Sequence, residues 1–261
     1  MKWYRIKALL LKYFYITKNR FDRIFDIFYW PILDIVIWGF ASAFIENISD
    51  VNVLNMIFGG IILWVFVWRS SQDIAVYVLE DFWSRNLYHL FSSPVTIFEH
   101  MTSIVILGFI RSLITFTFLV IVAFVFYSFN IFVFPIYYLA AGIAILTLFG
   151  WAMGIIITAL IFRFGKRIQI LAWSLVWIIQ PFSCVFYPLS ALPDWAQKIA
   201  ILLPTTHVFE LMRNVLFNNE TNIQGLVYGL LSSLVLLAFA VWLIKISFES
   251  ARKRGMLASA E

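Results

Sequence analysis

Long apolar segments are the feature that most constrains the fold of this chain. Six of them are long enough to cross the roughly 30 Å hydrocarbon core of a bilayer. Hydrophobic residues make up 63% of the 261-residue chain and charged residues only 13%. A soluble domain cannot bury that much apolar surface, because soluble chains average about half apolar and a quarter charged residues. The sequence therefore predicts an all-α membrane protein, with residues 1–261 forming one transmembrane domain.

The predicted spans have bounds that carry the usual error of a few residues. They are residues 28–45, 53–79, 101–127, 132–162, 168–187 and 223–246. Lysines and arginines cluster on one side of these spans, because only Lys198 and Arg213 fall on the other side, Arg69 and Arg111 fall inside a span, and Lys245, at the end of the last span, belongs with the basic tail. The positive-inside rule then predicts that both termini are cytoplasmic. Six spans with no visible cleaved signal favour a multi-pass protein of the cytoplasmic (inner) membrane.

The N-terminal segment, residues 1–26, combines basic and apolar residues at helical spacing. Lys2, Arg5 and Lys12 fall on one face, and Trp3 and Ile6 fall on the adjoining one. This pattern is typical of a helix lying in the headgroup region of a membrane. An ordinary basic flank before the first span is the alternative.

A segment before the last span, residues 188–217, is too apolar for a free loop and too broken by proline for a full span. Irregular backbone at membrane depth persists only where protein or a cavity surrounds it. We therefore expect an extracytoplasmic re-entrant hairpin of two short helices, about 194–202 and 206–217. A plain extracytoplasmic loop with surface helices is the alternative. The residues that mark the hairpin are Pro188, Pro193, Asp194, Trp195 and Pro204.

Four ionisable residues lie within the predicted spans: Asp34, Arg69, Asp73 and Arg111. A charge at the bilayer centre costs about 2.5–3.5 kcal/mol on insertion scales, so such groups usually pair or face water. Arg69 and Asp73 are four residues apart and share a helix face. The group is either a structural ion-pair cluster that joins the first three spans or a water-lined surface on a substrate path.

The connection between spans two and three, residues 80–94, predicts a short amphipathic helix from about residue 80 to residue 91. Ser92 and Ser93 precede Pro94, and the residue before a proline is pushed away from helical geometry. This helix is too short to span a membrane and suits docking into a groove on a soluble partner. Its candidate contact residues are Glu80, Asp81, Phe82, Arg85, Leu87, Leu90, Phe91 and Pro94.

Catalytic and metal-binding patterns are absent from the sequence. It has no G-x-x-x-x-G-K-[ST] phosphate loop and no G-x-S-x-G nucleophile elbow. His89, His100 and His207 fall in different segments, and no pair has the spacing of metal ligands. We expect no catalytic residue, no metal and no cofactor on this chain.

Three motifs resemble the ABC-2 family of ATP-binding-cassette exporter permeases. The first is the acidic pair Glu80–Asp81 with the Ser-Ser-Pro ending of the following helix. The second is FYPLSALPDW, beginning at Phe186, and the third is LPTTH, beginning at Leu203 and followed by Arg213. The resemblance covers most of the chain, including the number of spans and the N-terminal helix.

This resemblance implies a function. Segment 80–94 would be the coupling helix, which inserts into a cleft on a separate ATPase subunit, and residues 1–26 would form the gate or connecting helix beside it. Two ATPase chains carrying MgATP would act with two permease chains, either identical or different. No nucleic-acid partner is implied. ATP binding would rock the permeases in a mechanical two-state switch.

The substrate is less constrained by the sequence. Family members export drugs, polysaccharides and lipid-linked glycans. Export of a glycan or glycolipid and export of a drug or other hydrophobic small molecule both stay open. Tyrosine and tryptophan rings on the inner faces of spans one, two and five would favour glycans. A secondary transporter or channel is an alternative, although such proteins usually show paired helix interruptions. A membrane enzyme that acts on lipids is a third alternative, and the absence of a catalytic cluster in the sequence argues against it.

Overall fold

The computed structural model describes residues 1–46, 53–217 and 223–255, and over this part of the chain it is helical with no β-strand. This confirms the predicted all-α membrane fold. The predicted domain also includes residues 47–52, 218–222 and 256–261, which lie outside the described residues. The helices are α1 (Trp3–Lys18), α2 (Phe21–Glu46), α3 (Val53–Trp83), α4 (Asn86–Ser92), α5 (Ile97–Tyr127), α6 (Ile136–Phe164), α7 (Leu171–Ile179), α8 (Asp194–Ala200), α9 (Pro204–Phe217) and α10 (Ile223–Lys253).

Among the described residues, five helices are long and apolar enough to cross a membrane: α2, α3, α5, α6 and α10. The segment predicted as the fifth span, residues 168–187, differs from this group. It forms the short helix α7 followed by a 3-10 turn, Gln180–Ser183, and Cys184 then adopts a left-handed conformation with φ 53°. Pro181 in the turn explains the early end, because proline lacks the N–H that would continue the helix.

The first span begins earlier than its sequence predicts. Helix α2 starts at Phe21, so Pro31 lies inside the helix rather than in its first turn. Proline at this position removes the hydrogen bond to the carbonyl of Ile27, four residues earlier. The hydroxyl of Thr115 on α5 donates to that carbonyl at 3.4 Å. A neighbouring helix therefore satisfies the carbonyl that the proline leaves open, as membrane helices commonly require.

Helices α3 and α6 form the centre of the bundle. In the most apolar window of each, 78% of the residues are buried, against 22% in α2 and in α10. Gly150 and Gly154 of α6 allow the two backbones to approach, since a Cβ atom at Gly154 would lie 2.8 Å from the carbonyl oxygen of Ser71. Small residues four apart are the usual means of close helix packing in membranes.

The N-terminal helix α1 packs across one end of the bundle, against α5 and the last turns of α3. We call this end the basic end. It comprises α1, α4, the start of α5 and the last turns of α3, α6 and α10. The predicted N-terminal helix is shorter than expected, since α1 ends at Lys18 and α2 begins three residues later.

The two short helices predicted before the last span are present as α8 and α9, at the end of the bundle opposite to α1. The guanidinium of Arg213 donates to the carbonyl oxygen of Cys184 and to the carboxylate of Glu210, each at 2.8 Å. That carboxylate also accepts a hydrogen bond of 2.6 Å from the backbone N–H of Leu189. These contacts fix the segment against the turn after α7. Its re-entrant position in the bilayer stays a prediction.

Of the residues that mark the hairpin, Pro204 is buried and begins α9, and Asp194 is the first residue of α8. Trp195 is 62% exposed. Its ring lies against that of Phe182, with the ring centres 6.0 Å apart. Pro188 and Pro193 each precede a helical turn with extended backbone. The prolines therefore separate the turns of this segment, as their spacing predicts.

Candidate functional site

The short helix between the second and third spans differs in its start from the sequence expectation. Helix α3 continues through Trp83, so Glu80, Asp81 and Phe82 belong to the long helix. The chain then turns at Arg85, whose φ of 56° is left-handed, and α4 begins at Asn86. At this break between the two helices, the hydroxyl of Ser84 donates a hydrogen bond of 2.7 Å to the carbonyl oxygen of Glu80.

Asp81 is the centre of a buried polar cluster that joins α1, α3 and α5, which we call the Asp81 cluster. Its carboxylate is held by the ammonium of Lys12 at 2.8 Å, the hydroxyl of Tyr13 at 2.6 Å and Nε2 of His100 at 3.1 Å. The side-chain amide of Asn86, the first residue of α4, donates at 2.9 Å. Asp81 is 4% exposed. The structure therefore places this acid beneath α1, where it contacts its own chain.

The hydroxyl of Tyr13 is fixed in its neutral, donating form. Burial raises its pKa far above the ordinary value, and the negative charge of Asp81 raises it further. A tyrosine that stays protonated donates its hydrogen bond at every physiological pH. The link between α1 and α3 is therefore insensitive to pH at this residue.

Two further acids tie α1 and the start of α2 to the long helices. The carboxylate of Glu80 accepts from Arg20 at 2.8 Å and also pairs with Arg23. Glu99 forms a capping box with Thr96 at the start of α5. The same carboxylate accepts from the backbone N–H of Lys2 at 2.7 Å. The sequence T-x-x-E before an apolar run is the signal that could have identified Glu99.

The outer face of α4 and its flanks carries the exposed residues of the predicted coupling segment. Arg85 and Pro94 are exposed, as are Tyr88 and His89, which the sequence reasoning did not single out. Phe82 and Leu87 are buried in the core of the basic end, and Leu90 and Phe91 pack against its edge. An open groove of about 670 Å³ lies beside this face, between α1 and the last turn of α3.

The intramembrane charges form ion pairs between helices. Arg111 on α5 donates to Asp73 on α3 at 2.7 Å, and both side chains are at most 3% exposed. Arg69 on α3 pairs instead with Asp26 on α2 at 2.5 Å. The sequence reasoning missed Asp26, because it lies before the predicted start of the first span. Arg111 also lies 3.5 Å from Asp26, so the two pairs form one connected network.

Asp34 is separate from this network. It lies on the same helix as Asp26, and its side chain forms no hydrogen bond or ion pair within residues 1–46, 53–217 and 223–255. The four charges singled out from the sequence are therefore not one cluster. Arg69, Asp73 and Arg111 hold three helices together, whereas Asp34 faces a cavity.

This cavity has a volume of about 590 Å³ and lies between α2, α3 and α7. We call it the tryptophan cavity. Its polar lining comes from Asp26, Asp34, Gln72 and Gln180. Its lining includes six tryptophans, two from each of the three helices: Trp30, Trp38, Trp64, Trp68, Trp173 and Trp177. Indole faces next to carboxylates and amides can bind the C–H faces and hydroxyls of a polar cyclic ligand.

Comparison with known proteins gives two findings. A family model described as "ABC-2 family transporter protein" matches residues 42–244. The capsule polysaccharide export inner-membrane protein BexB of Haemophilus influenzae is 24% identical over 217 residues, which cover 81% of this chain and 77% of that protein. The match to the family model includes α3 to α9 and most of α10, and begins in the last turns of α2.

Proposed function

Since this chain belongs to the ABC-2 family of transporter proteins, we propose that it is the permease of an ATP-driven exporter whose cargo is a polysaccharide or a lipid-linked glycan. It is a multi-pass membrane protein and the membrane-spanning subunit of an ABC exporter. The proposal adds the ATPase coupling, the pairing of two permease chains, the cytoplasmic location of the basic end and the class of cargo.

The geometry of the basic end supports the coupling role. Helix α4 presents exposed Tyr88 and His89, Arg85 is exposed just before it, and an open groove reaches its first residue, Asn86. Its inner residue Leu87 is 1% exposed and anchors the short helix to the bundle. A partner that pushed on α4 would act directly on α3 and, through the Asp81 cluster, on α1 and α5. Such a rigid connection suits the transmission of an ATPase motion to the spans.

The tryptophan cavity is the main observation in support of a glycan as the exported substrate. The rings come from the first and second spans and from α7 in the fifth segment, and their grouping around one cavity supports a glycan path. Amphipathic aromatic surfaces beside hydrogen-bonding groups are typical of ligand pockets with defined orientation. The similarity to a protein named for capsule polysaccharide export supports the same class of cargo.

The ATPase proposal is tested by purifying the tagged chain from its native membrane in mild detergent. We expect an ATPase with a G-x-x-x-x-G-K-[ST] loop to co-purify in a stoichiometric amount, and export from inverted vesicles to require ATP. A chain that purifies alone and moves solutes in liposomes without ATP would contradict the proposal.

The cargo proposal is tested with Trp177→Ala, which removes a ring that is 57% exposed at the cavity. We expect export of the native glycan to fall about tenfold, because aromatic faces supply much of the binding surface in such a site. Trp242→Ala is the matched control, since Trp242 is 56% exposed on α10 and does not line the cavity. Equal export by the two variants would argue against a glycan route through the cavity.

A further inference from the structure

The tryptophan cavity carries an uncompensated negative charge. Two carboxylates line it, and no lysine, arginine or histidine of the described residues does. Asp26 is neutralised, because it pairs with Arg69 at 2.5 Å and lies 3.5 Å from Arg111. Arg111 in turn is matched by Asp73. The charges of this network cancel, which leaves Asp34 as the net charge that a ligand in the cavity meets.

Asp34 lacks a partner among the described residues, and so does a second acceptor in the same wall. The side-chain oxygen Oε1 of Gln72 is buried, lines the cavity and has no hydrogen-bond partner. Buried acceptors in folded proteins are nearly always satisfied, so an open one calls for an explanation. Here the two open acceptors lie on facing helices, α2 and α3, around the same empty space.

These acceptors define the chemistry of a ligand that would complete the site. A carboxylate and an amide oxygen accept hydrogen bonds from hydroxyl or ammonium groups. An acidic ligand group would instead meet a like charge where apolar indole walls weaken screening by water, and repulsion between like charges is strongest in such surroundings. The rings favour a sugar face, and the acceptors favour its hydroxyls.

We propose that the tryptophan cavity is a charge-selective sugar site, which accepts neutral or amino sugars and rejects acidic ones, with Asp34 as the specificity-determining residue. This inference rests on the proposed glycan export and adds the charge class of the sugar unit that passes the cavity. Asp34 selects by repelling a carboxylate or phosphate on the ligand and by accepting hydrogen bonds from its hydroxyls.

The test compares two probes that share one backbone, hexagalacturonate and its fully methyl-esterified form. Binding of each is measured by calorimetry to the native membrane complex in nanodiscs. We expect the neutral ester to bind at least about tenfold more tightly than the acid, the effect of like charges roughly 8 Å apart at an effective dielectric constant of about 20. Asp34→Asn should remove most of this difference by improving binding of the acid, while the ester changes little.

The matched control is Asp22→Asn on the same helix, because Asp22 lies outside the cavity and pairs with Arg20. This variant should keep the wild-type preference for the ester. If Asp34→Asn fails to insert, the comparison of the two probes on the wild-type complex still decides whether the cavity selects sugars by charge.

Equal binding of acid and ester by the wild type would overturn the charge selection and leave glycan export standing. A preference for the ester that survives in Asp34→Asn would overturn the role of Asp34 alone. Binding of neither probe, together with binding of the hydrophobic cation rhodamine 6G, would overturn the glycan proposal and the inference with it.

Discussion

The Asp81 cluster and the tryptophan cavity differ in how they surround a carboxylate, since Asp81 is buried and Asp34 is partly buried. Asp81 is contacted by four side chains, from Lys12, Tyr13, Asn86 and His100. Asp34, on the cavity wall, forms no hydrogen bond or ion pair with the described residues. A carboxylate held by several donors favours one arrangement of helices, whereas an unsatisfied acceptor beside a cavity is available to a ligand. Under the proposed function, this contrast would distinguish the region that transmits motion from the region that binds cargo.

The largest expected effect comes from removing one partner of a buried ion pair. Arg111→Ala leaves Asp73 buried and charged, and breaking a buried pair in this way destabilises by about 3–5 kcal/mol. We expect a clear fall in the midpoint of thermal unfolding in detergent. Arg163→Ala is the control, since Arg163 is exposed near the end of α6.

The double variant Arg111→Met with Asp73→Leu sharpens this result. Replacing a buried ion pair by apolar side chains of similar volume is often neutral or stabilising. The double variant should therefore unfold nearer to the wild type than Arg111→Ala does. If Arg111→Ala has the unfolding midpoint of the wild type, the ion pair between Arg111 and Asp73 does not stabilise the fold.

The next test separates anchoring of α1 from folding of the whole bundle. Asp81→Asn keeps the shape of the side chain but weakens the hydrogen bonds from Lys12 and Tyr13, at a cost of roughly 2 kcal/mol. We expect faster hydrogen exchange in α1 and reduced coupling of ATP hydrolysis to export. Glu249→Gln on the exposed face of α10 should change neither quantity. Unchanged exchange in α1 would show that Asp81 does not hold it.

Substitutions on the exposed face of α4 should affect binding of the ATPase rather than stability. Tyr88→Ala removes a ring that is 55% exposed, so stability should change by less than about 0.5 kcal/mol. Retention of the ATPase in a pull-down should fall about tenfold, since exposed aromatic residues are frequent anchors of interfaces. Tyr137→Ala is the control, because Tyr137 is 50% exposed at the opposite end of the bundle. Equal retention by both variants would remove α4 from the contact.

The sequence was sufficient for the class of fold and for most helices, because apolar length is a local property. The ion-pair partner of a charged residue, in contrast, depends on which helices pack together and not on the neighbouring sequence. Arg69 and Asp73 share a helix face, yet Arg69 pairs with Asp26 on α2 and Asp73 with Arg111 on α5. Helical spacing shows which side chains point the same way but does not show which neighbouring helix they meet.

Backbone breaks limited the prediction in the same manner. Helix α4 ends just before Pro94 as expected, but the left-handed turn at Arg85 has no proline or glycine that would predict it. The tryptophan cavity could not be derived either, because its rings come from three helices that are far apart in sequence. The capping box at Thr96 and Glu99 was readable from the sequence alone.

The smallest expected effect on stability is at Arg20, where the polar contacts of the basic end are exposed to solvent. Arg20 pairs with Asp22 and Glu80, but its side chain is 47% exposed and that of Asp22 is 62% exposed. Exposed ion pairs contribute about 0–1 kcal/mol and are screened by salt. Arg20→Ala should therefore lower the unfolding midpoint only slightly, and the difference should vanish at about 1 M salt. A loss as large as that of Asp81→Asn, unchanged by salt, would instead place Arg20 within the Asp81 cluster, because only a pair shielded from water keeps its strength in salt.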